Sequence, residues 1–488
     1  MNGMRGKEGK AEMKTNDGAT AFRGRKILIA GLKRSGRAAA LALHNLGARV
    51  SVTDMKTADE LPGLKDIPEG IFLFLGGHPE EALDGVDLVV VSPGVPMGSG
   101  LLRAAARRGI EIIGELELGF RLLKYENPLV DFLAVTGTNG KSTTSTLLHF
   151  MLRKAGKNAI LAGNIGEALT GFAAAGARPD LAVVEVSSFQ LEAVSGFKPR
   201  VASILNLAPD HLDRYAGLEA YYAAKTRICE CQGKGDFLVI NAGDPACLEM
   251  AAHIENIKGA QKPGIIYFAS RGVKIKSPGR GLYERGGSVF IDLPEIEMDR
   301  EKELIKASEI RIKGAHNLEN AMAAAGMALL SGAPADAVRA ALAEFPGLAH
   351  RMEFVREIDG VLYVNDSKGT NPPAVLRSIQ SFGQQERPIV LIAGGRDKNG
   401  DFESLHGAVE GNVKLVVLIG EAADKIEAAL KGSAEIRRAA DMGEAVRISR
   451  QAARPGDVVL LSPACASFDM FEDFEDRGRK FSEEVRKL

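Results

Sequence analysis

The chain has 488 residues, 45% hydrophobic and 26% charged, with 55 glycines against 20 prolines, a balance that suits a globular α/β protein of roughly three domains at about 150 residues each. Its 62 Lys and Arg nearly cancel its 63 Asp and Glu, leaving a net charge of -1, so no global basic field argues for nucleic acid or a membrane surface. The four cysteines (Cys229, Cys231, Cys247, Cys465) lack paired zinc spacing and fit a reducing cytoplasm, and no apolar run approaches the roughly 18 residues of a membrane span.

Residues 1–25 are polar and glycine-rich and lack the apolar core of a secretory signal, so a disordered tail is expected. A first domain, 26–125, opens with an apolar run from Lys26 to Gly31 that feeds Leu32-Lys33-Arg34-Ser35-Gly36 and a helix from Arg37 to Leu46. This is a strand-turn-helix unit of the dinucleotide-binding kind. A second strand, 48–53, ends in Asp54, where such folds place an acid that holds a ribose. Lys33 replaces the middle glycine that lets a pyrophosphate approach, which weakens a nicotinamide-cofactor reading. Strands at 71–75, 88–91 and 110–113 complete a small parallel sheet. Ser92-Pro93-Gly94-Val95 follows one of its strand ends, as a structural turn or as a ligand loop.

Tyr125-Glu126-Asn127-Pro128 reads as a linker into a central domain, 126–348. Its apolar run 129–135 ends in Gly137-Thr138-Asn139-Gly140-Lys141-Ser142-Thr143 and a helix-compatible segment, 144–153. That pattern is a phosphate-binding loop. Glycines let the backbone turn its N–H groups inward, the helix N-terminus adds positive potential, Lys141 brings a mobile charge, and the Ser142 hydroxyl can ligate Mg²⁺. Val135 stands where the commoner eight-residue loop has its first glycine. After a strand at 158–161 and the turn Gly163-Asn164-Ile165-Gly166, a strand at 181–184 ends in Glu185. A carboxylate there suits a Mg²⁺ that bridges phosphate oxygens. A strand at 201–205 leads to Asp210-His211-Leu212-Asp213, where His211 sits among carboxylates. Strands near 236–240 and 264–268 follow, then a hairpin excursion at 277–288. Asn317 and Asn320 share a face of the Ala-rich helix that runs to Leu330, to hold a base or phosphate or, for Asn317, to cap the helix.

A third domain, 349–488, repeats the doubly wound pattern with strands at 361–364, 389–392, 415–419 and 458–461. Three of its strand ends carry chemistry: Asn365-Asp366-Ser367-Lys368-Gly369-Thr370-Asn371, Gly394-Gly395-Arg396-Asp397-Lys398, and Ser462-Pro463-Ala464-Cys465-Ala466-Ser467-Phe468-Asp469. Open α/β sheets gather active-site loops at that edge. Together the three offer lysines, hydroxyls and an arginine to a small dicarboxylate.

The set GTNGKST, GNIG, EVSSFQLE, APDHLDRY, YYAAKTRI, GAHNLENA, HRME, NDSKGTNP, GGRDK and SPACASFD resembles the Mur ligases of peptidoglycan synthesis, from Lys26 to the C-terminus. The phosphate loop is common to relatives, so the branch rests on the third domain. NDSKGTNP and SPACASFD resemble the D-glutamate-adding branch, the DNPR-type motif of the diaminopimelate- or lysine-adding branch is absent, and folylpolyglutamate synthases read GKGS at Lys141-Ser142-Thr143. The fold implied is α/β in three domains: an N-terminal Rossmann-like domain, a central P-loop ATPase-like domain and a C-terminal Rossmann-like domain. The activity implied is ATP-dependent ligation of D-glutamate to UDP-N-acetylmuramoyl-L-alanine through an acyl phosphate, by a cytoplasmic monomer with no nucleic-acid or membrane partner. Another amide ligase of the Mur or folylpolyglutamate type is the nearest alternative, and a P-loop switch or motor a more distant one.

The resemblance also implies site residues, position by position. Gly137, Thr138, Asn139, Gly140, Lys141, Ser142 and Thr143 would hold the ATP phosphates, with Asn317, Asn320, Arg351 and Asp366 completing the nucleotide site. Ser142 and Glu185 would hold one Mg²⁺, and His211 with a carbamylated Lys225 a second, so that Lys141, His211 and Lys225 form the catalytic set. By pattern alone Lys225 is an ordinary helix-surface cation. Arg34, Ser35, Asp54, Lys56 and Gly94 would surround the uridine diphosphate, with Asn164 nearer the sugar and alanine. The D-glutamate would meet Lys368, Thr370, Lys398, Ser467 and Phe474. Lys33 and Arg34 make the first turn more basic than the resemblance leads one to expect, and Arg396 lies where the family varies.

Overall fold

The computed structural model describes residues 22–61, 64–210, 214–256, 262–270, 280–296, 301–383, 387–397 and 400–488. It contains three sheets. The first is built from β1 (Lys26–Ala30), β2 (Arg49–Asp54), β3 (Phe72–Leu75), β4 (Leu88–Val91) and β5 (Glu111–Gly114). They run parallel in the order β3-β2-β1-β4-β5. All four residues of β4 are buried, as an apolar run covered on both faces requires. The order reverses between β1 and β4, and at such a switch point the turns after the two strands diverge to leave a crevice.

The second sheet takes β6 (Asp131–Thr136), β7 (Ala159–Gly163), β8 (Leu181–Glu185), β9 (Val201–Ile204), β10 (Phe237–Asn241), β11 (Gly264–Ala269), β12 (Gly281–Arg285), β13 (Ser288–Asp292) and β14 (Lys302–Lys306). Their spatial order is β14-β13-β12-β11-β10-β9-β6-β8-β7, antiparallel only from β12 to β14. The third comprises β15 (Glu353–Ile358), β16 (Val361–Asn365), β17 (Ile389–Gly394), β18 (Val413–Ile419), β19 (Glu435–Arg438) and β20 (Val458–Leu461), in the order β15-β16-β20-β17-β18-β19 with only β15 antiparallel. Along β17 successive side chains enter opposite cores: Ile389 and Leu391 join one, Val390 and Ile392 the other. That alternation places helices on both faces.

The chain divides into two compact units, Met1–Glu309 with Glu319–Leu342, and Ile310–Leu318 with Ala343–Leu488. The first two sheets share the first unit. Two helices begin earlier than the apolar periodicity suggests, α1 (Arg34–Asn45) and, in the second sheet, the helix that opens at Lys141, because polar loop residues form their first turns. Strands β15 and β19 escaped the sequence pattern as half-exposed edge strands with polar alternation. The tail also ends sooner than Arg25: Phe22 is buried in the first core and Gly24 N–H donates to the Gly47 carbonyl at 2.9 Å. The hairpin expected at 277–288 is found later in the chain as β12–β13, which turns at Gly286 and Gly287, both left-handed, and runs on to Asp292. The leading residues of the expected span, 277–279, lie outside the described ones.

The first unit is stitched by α2 (Glu115–Glu126). Gly119 makes the close approach possible, since a Cβ there would meet Leu169 side-chain atoms at 2.8 Å. Glu115, buried and with its pKa raised by burial, accepts from the N–H and the hydroxyl of Thr170, both at 2.8 Å. Glu117 is buried likewise and accepts from the N–H groups of Ser195 and Gly196. Glu115→Ala strands two donors, so the unit should lose about 1–3 kcal/mol, read as a lower urea midpoint with an unchanged slope.

Candidate active site

The phosphate loop follows β6 and opens α3 (Lys141–Lys154). Gly140 has φ +82, and a Cβ there would stand 2.2 Å from the Asn320 amide oxygen, so only glycine fits. Asn320 is buried and accepts from the Thr144 hydroxyl at 3.3 Å, packing the loop from behind. Asn206 clamps the other side, accepting from Asn139 N–H at 2.8 Å and donating to its carbonyl at 3.1 Å. Ser142, Thr143 and Lys141 then occupy the first helical turn, whose N–H groups have no intrahelical acceptor.

Two lysines meet at one oxygen. The Gly137 carbonyl accepts from Lys141 Nζ at 3.0 Å and from Lys225 Nζ at 2.8 Å; Lys141 also donates to the Thr138 carbonyl at 3.0 Å. Lys225 is therefore no surface cation. It lies in α4 (Leu218–Thr226), 1% exposed, with Nζ 4.6 Å from the Tyr221 ring centroid. Burial first, then the Lys141 charge, push its pKa down to about 7, against a weaker upward pull from Asp210. His211 lies outside the described residues.

Glu185 ends β8, in register with Val135 of β6 and Gly163 of β7, one strand from the phosphate loop. It is buried. Its Oε1 accepts from the Asn164 amide at 2.7 Å, while Oε2 is buried without a hydrogen-bond partner. An unsatisfied buried carboxylate oxygen beside a phosphate loop is a donor atom for a hard cation. Among the described residues no three His, Cys, Asp or Glu cluster as a metal cage.

At the switch point of the first sheet lies a cavity of about 510 Å³ whose wall includes Arg34, Ser35, Asp54, Lys56, Gly94 and Asn164, a volume that suits a nucleotide-sized ligand. All six acceptor-site candidates thus share one pocket, along with His78, which sequence reasoning missed. His78 Nδ1 is 2.9 Å from the Thr53 hydroxyl. Asp54 has a second duty: its two oxygens accept from Leu32 N–H at 2.7 Å and Lys56 N–H at 2.9 Å, which shapes the turn. Arg34 differs from a free phosphate ligand, since its guanidinium donates to the Gly166 carbonyl at 2.7 Å and the Gly163 carbonyl at 3.0 Å.

In the second unit, the loops after β16, β20 and β17 leave three adjacent strands at one edge. Asp366 is buried, with its pKa pushed up to about 6 by burial. It accepts from the hydroxyls of Ser378 and Ser462, each at 2.7 Å, and from Met352 N–H at 3.3 Å. Arg351 is exposed between two residues of left-handed backbone, His350 (φ 61) and Met352 (φ 48). Lys368 Nζ lies 3.4 Å from the centroid of the Phe474 ring, Thr370 is half-buried, and Ser467 is buried. Lys398 lies outside the described residues. Arg396 is matched by Glu421, at 3.0 and 2.9 Å, so its charge is already partnered. Asn317, in the first turn of α5 (Ala315–Leu330), donates its amide to the Lys313 carbonyl at 2.8 Å.

The residue most clearly missed is Arg477, in α6 (Phe474–Lys487). It is 0% exposed and ties two of the loops together: Nε donates to the Ser367 hydroxyl at 3.0 Å, and the terminal nitrogens to the carbonyls of Ser367 at 2.9 Å and Cys465 at 3.1 Å. Burial pulls its pKa down to about 10.

Family models match three stretches of the chain: a Mur ligase MurD-like N-terminal domain at residues 25–114, a Mur ligase middle domain at 135–328 and a Mur ligase glutamate ligase domain at 350–465. The chain is 43% identical to the UDP-N-acetylmuramoylalanine--D-glutamate ligase of Pelotomaculum thermopropionicum, covering 96% of this chain and 98% of the relative. It is 39% identical to the enzyme of the same name from Clostridioides difficile, covering 96% and 99%. In fold it is similar to UDP-N-acetylmuramate-alanine ligase MurC of Thermotoga maritima (TM-score 0.55, 20% identity, 95% of this chain and 99% of that one). It is also similar to MurF of Acinetobacter baumannii (TM-score 0.59, 17% identity, 96% and 97%).

Arg477→Leu should cost at least about 3 kcal/mol, because several buried carbonyls lose their donor at once. Thermal unfolding and the rate of tryptic cleavage at Lys and Arg sites within residues 343–488 read this out; cleavage as slow as in the unchanged protein would count against the hub.

Proposed function

This chain belongs to the Mur ligase family, and on that footing we propose that it joins D-glutamate to UDP-N-acetylmuramoyl-L-alanine at the expense of ATP, in peptidoglycan precursor synthesis. The observation that carries the reading is the likeness to D-glutamate ligases along 96% of the chain. Phosphate loop, orphaned carboxylate and acceptor cavity all fall within one compact unit. We assign the acceptor to residues 26–125, ATP to 126–348 and the amino acid to 349–488. On this reading the enzyme is a cytoplasmic monomer acting on small soluble substrates. Among the described residues no helix is long and apolar enough to cross a membrane.

A carboxylate is a poor electrophile, so an amide cannot form from it without activation. The alanyl carboxylate takes the γ-phosphoryl group of ATP, the neutral amine of D-glutamate attacks the resulting acyl phosphate, and phosphate leaves from a tetrahedral intermediate. Lys141 and the N–H groups of the first turn of α3 hold the phosphates and offset the charge that builds as the group moves. Ser142 and Glu185 would hold one Mg²⁺, which supplies charge neutralisation on the phosphate oxygens. Lys368, Thr370, Lys398, Ser467 and Phe474 would hold the D-glutamate, with Arg351, Asp366, Asn317 and Asn320 on the nucleotide.

Lys225 is the residue whose chemistry its surroundings alter most. Its neutral form, the one that adds CO₂, is favoured by burial and by Lys141. Carbamylation would replace a repelling cation by an anion and, with His211, provide ligands for a second Mg²⁺. The sign follows from the pKa: below about pH 7 the ammonium dominates and cannot react, and above it the amine is available.

ADP release should require UDP-N-acetylmuramoyl-L-alanine and D-glutamate together and not occur with L-glutamate. In that assay Lys141→Ala should lose at least about 100-fold; near-normal turnover of the variant would overturn the phosphate-loop role. Lys225→Ala should lose most activity and regain part of it with added formate or acetate. A ¹³C-carbamate NMR signal from labelled bicarbonate should grow between pH 6 and 8 and be missing from that variant.

A further inference from the structure

The turn Gly163-Asn164-Ile165-Gly166 is gripped from both sides. On one side Arg34 donates to the carbonyls of Gly166 (2.7 Å), Gly163 (3.0 Å) and Asn164 (3.5 Å). On the other, Asn164 N–H donates to the Glu185 carbonyl at 2.9 Å and the Asn164 amide to Glu185 Oε1 at 2.7 Å. There is no slack in between: Gly163 has φ +102, and a Cβ on it would fall 2.4 Å from the Glu185 carbonyl oxygen. The amide that holds one carboxylate oxygen thereby leaves the other, Oε2, buried and unsatisfied.

We infer that Arg34 is a positioning residue for the Glu185 carboxylate, acting through this turn, and that the acceptor cavity and the metal-binding carboxylate are thereby held as one mechanical piece. Arg34 belongs to the wall of the cavity as well, so a diphosphate bound there contacts the same guanidinium that sets the turn. The fixed planar fork of arginine suits two carbonyls presented by a tight turn; the ammonium of lysine is a point charge without that fork. Asn164, one hydrogen bond removed from the carboxylate, is the partner that orients the ligand and fixes which oxygen faces the ion, and Arg34 holds the turn that carries it. The inference rests on the reading of Glu185 as a Mg²⁺ ligand.

The test is direct metal binding. Mn²⁺ is titrated into the full chain with a non-hydrolysable ATP analogue and no acceptor, free Mn²⁺ being read by electron paramagnetic resonance. Arg34→Leu should weaken Mn²⁺ about 10- to 100-fold, with Arg34→Lys intermediate, and the double variant Arg34→Leu/Glu185→Gln should bind no more weakly than Glu185→Gln alone. In steady state, kcat of Arg34→Lys should fall by a larger factor than its acceptor KM rises. Near-UV circular dichroism checks folding, and Arg34→Lys carries the comparison if Arg34→Leu does not fold. Unchanged Mn²⁺ affinity in the folded variants together with weaker binding of UDP would make Arg34 a diphosphate contact only and overturn the inference. Equal Mn²⁺ affinity of Glu185→Gln and the unchanged protein would instead overturn the metal reading of Glu185, and the inference with it.

Discussion

Two ammonium groups on one carbonyl oxygen are a crowded arrangement, and the phosphate site depends on how that crowding is resolved. Lys141 can swing toward an incoming phosphate because it sits at the mouth of the loop. Lys225 is 1% exposed and has nowhere to go, so its charge must be compensated, lost or reversed. Each outcome sets a different field for the same loop. With both lysines charged the loop repels a divalent cation; with Lys225 carbamylated it attracts one, and the carbonyl of Gly137 is left to Lys141. On the proposed carbamylation, a buried lysine rather than an extra acidic residue would set the sign of the site.

The three sheets place their chemistry by one topological rule. In each, the strands that carry functional turns are neighbours running the same way, so their C-terminal ends open side by side: β1 with β4, β6 with β8, and β16, β20 and β17. A turn at such an end has backbone groups not used by the ladder. The chain uses them for glycine-rich loops, while the strands behind stay apolar and buried. Rigid strands then position mobile loops.

This rule also explains what could be read from the residues alone. The phosphate loop was legible because its glycines, lysine, hydroxyl and helix are contiguous. The acceptor residues and the Asp366 loop were legible as motifs, although their geometry was not. Arg34 was legible as an acceptor residue, but not its grip on the carbonyls of a turn more than 100 residues away; Arg477 escaped because its partners, a hydroxyl and backbone carbonyls at Ser367 and Cys465, leave no mark in the sequence around it. A lone arginine in a helix looks like surface. Lys225 misled for the same reason, since a lysine in an alternating helical stretch shows its burial only once Tyr221 and the Gly137 carbonyl close over it. The edge strands β15 and β19 have polar alternation and no apolar run, so pattern reading passed over them.

Among the described residues, four that are not glycine have left-handed backbone, and three of them, His350, Met352 and Ala464, lie in the loops around Asp366. Such conformations cost of order 1–3 kcal/mol each and persist only while their surroundings hold them. The strands β17 and β18 of the same unit carry no non-glycine residue of this kind. Strain of this kind divides the unit into a stiff interior and a rim that opens first, so its amides would lose protection against solvent exchange well before the strands beneath them. The rim around Asp366 is then also the part best able to loosen and re-form without disturbing the sheet that supports it.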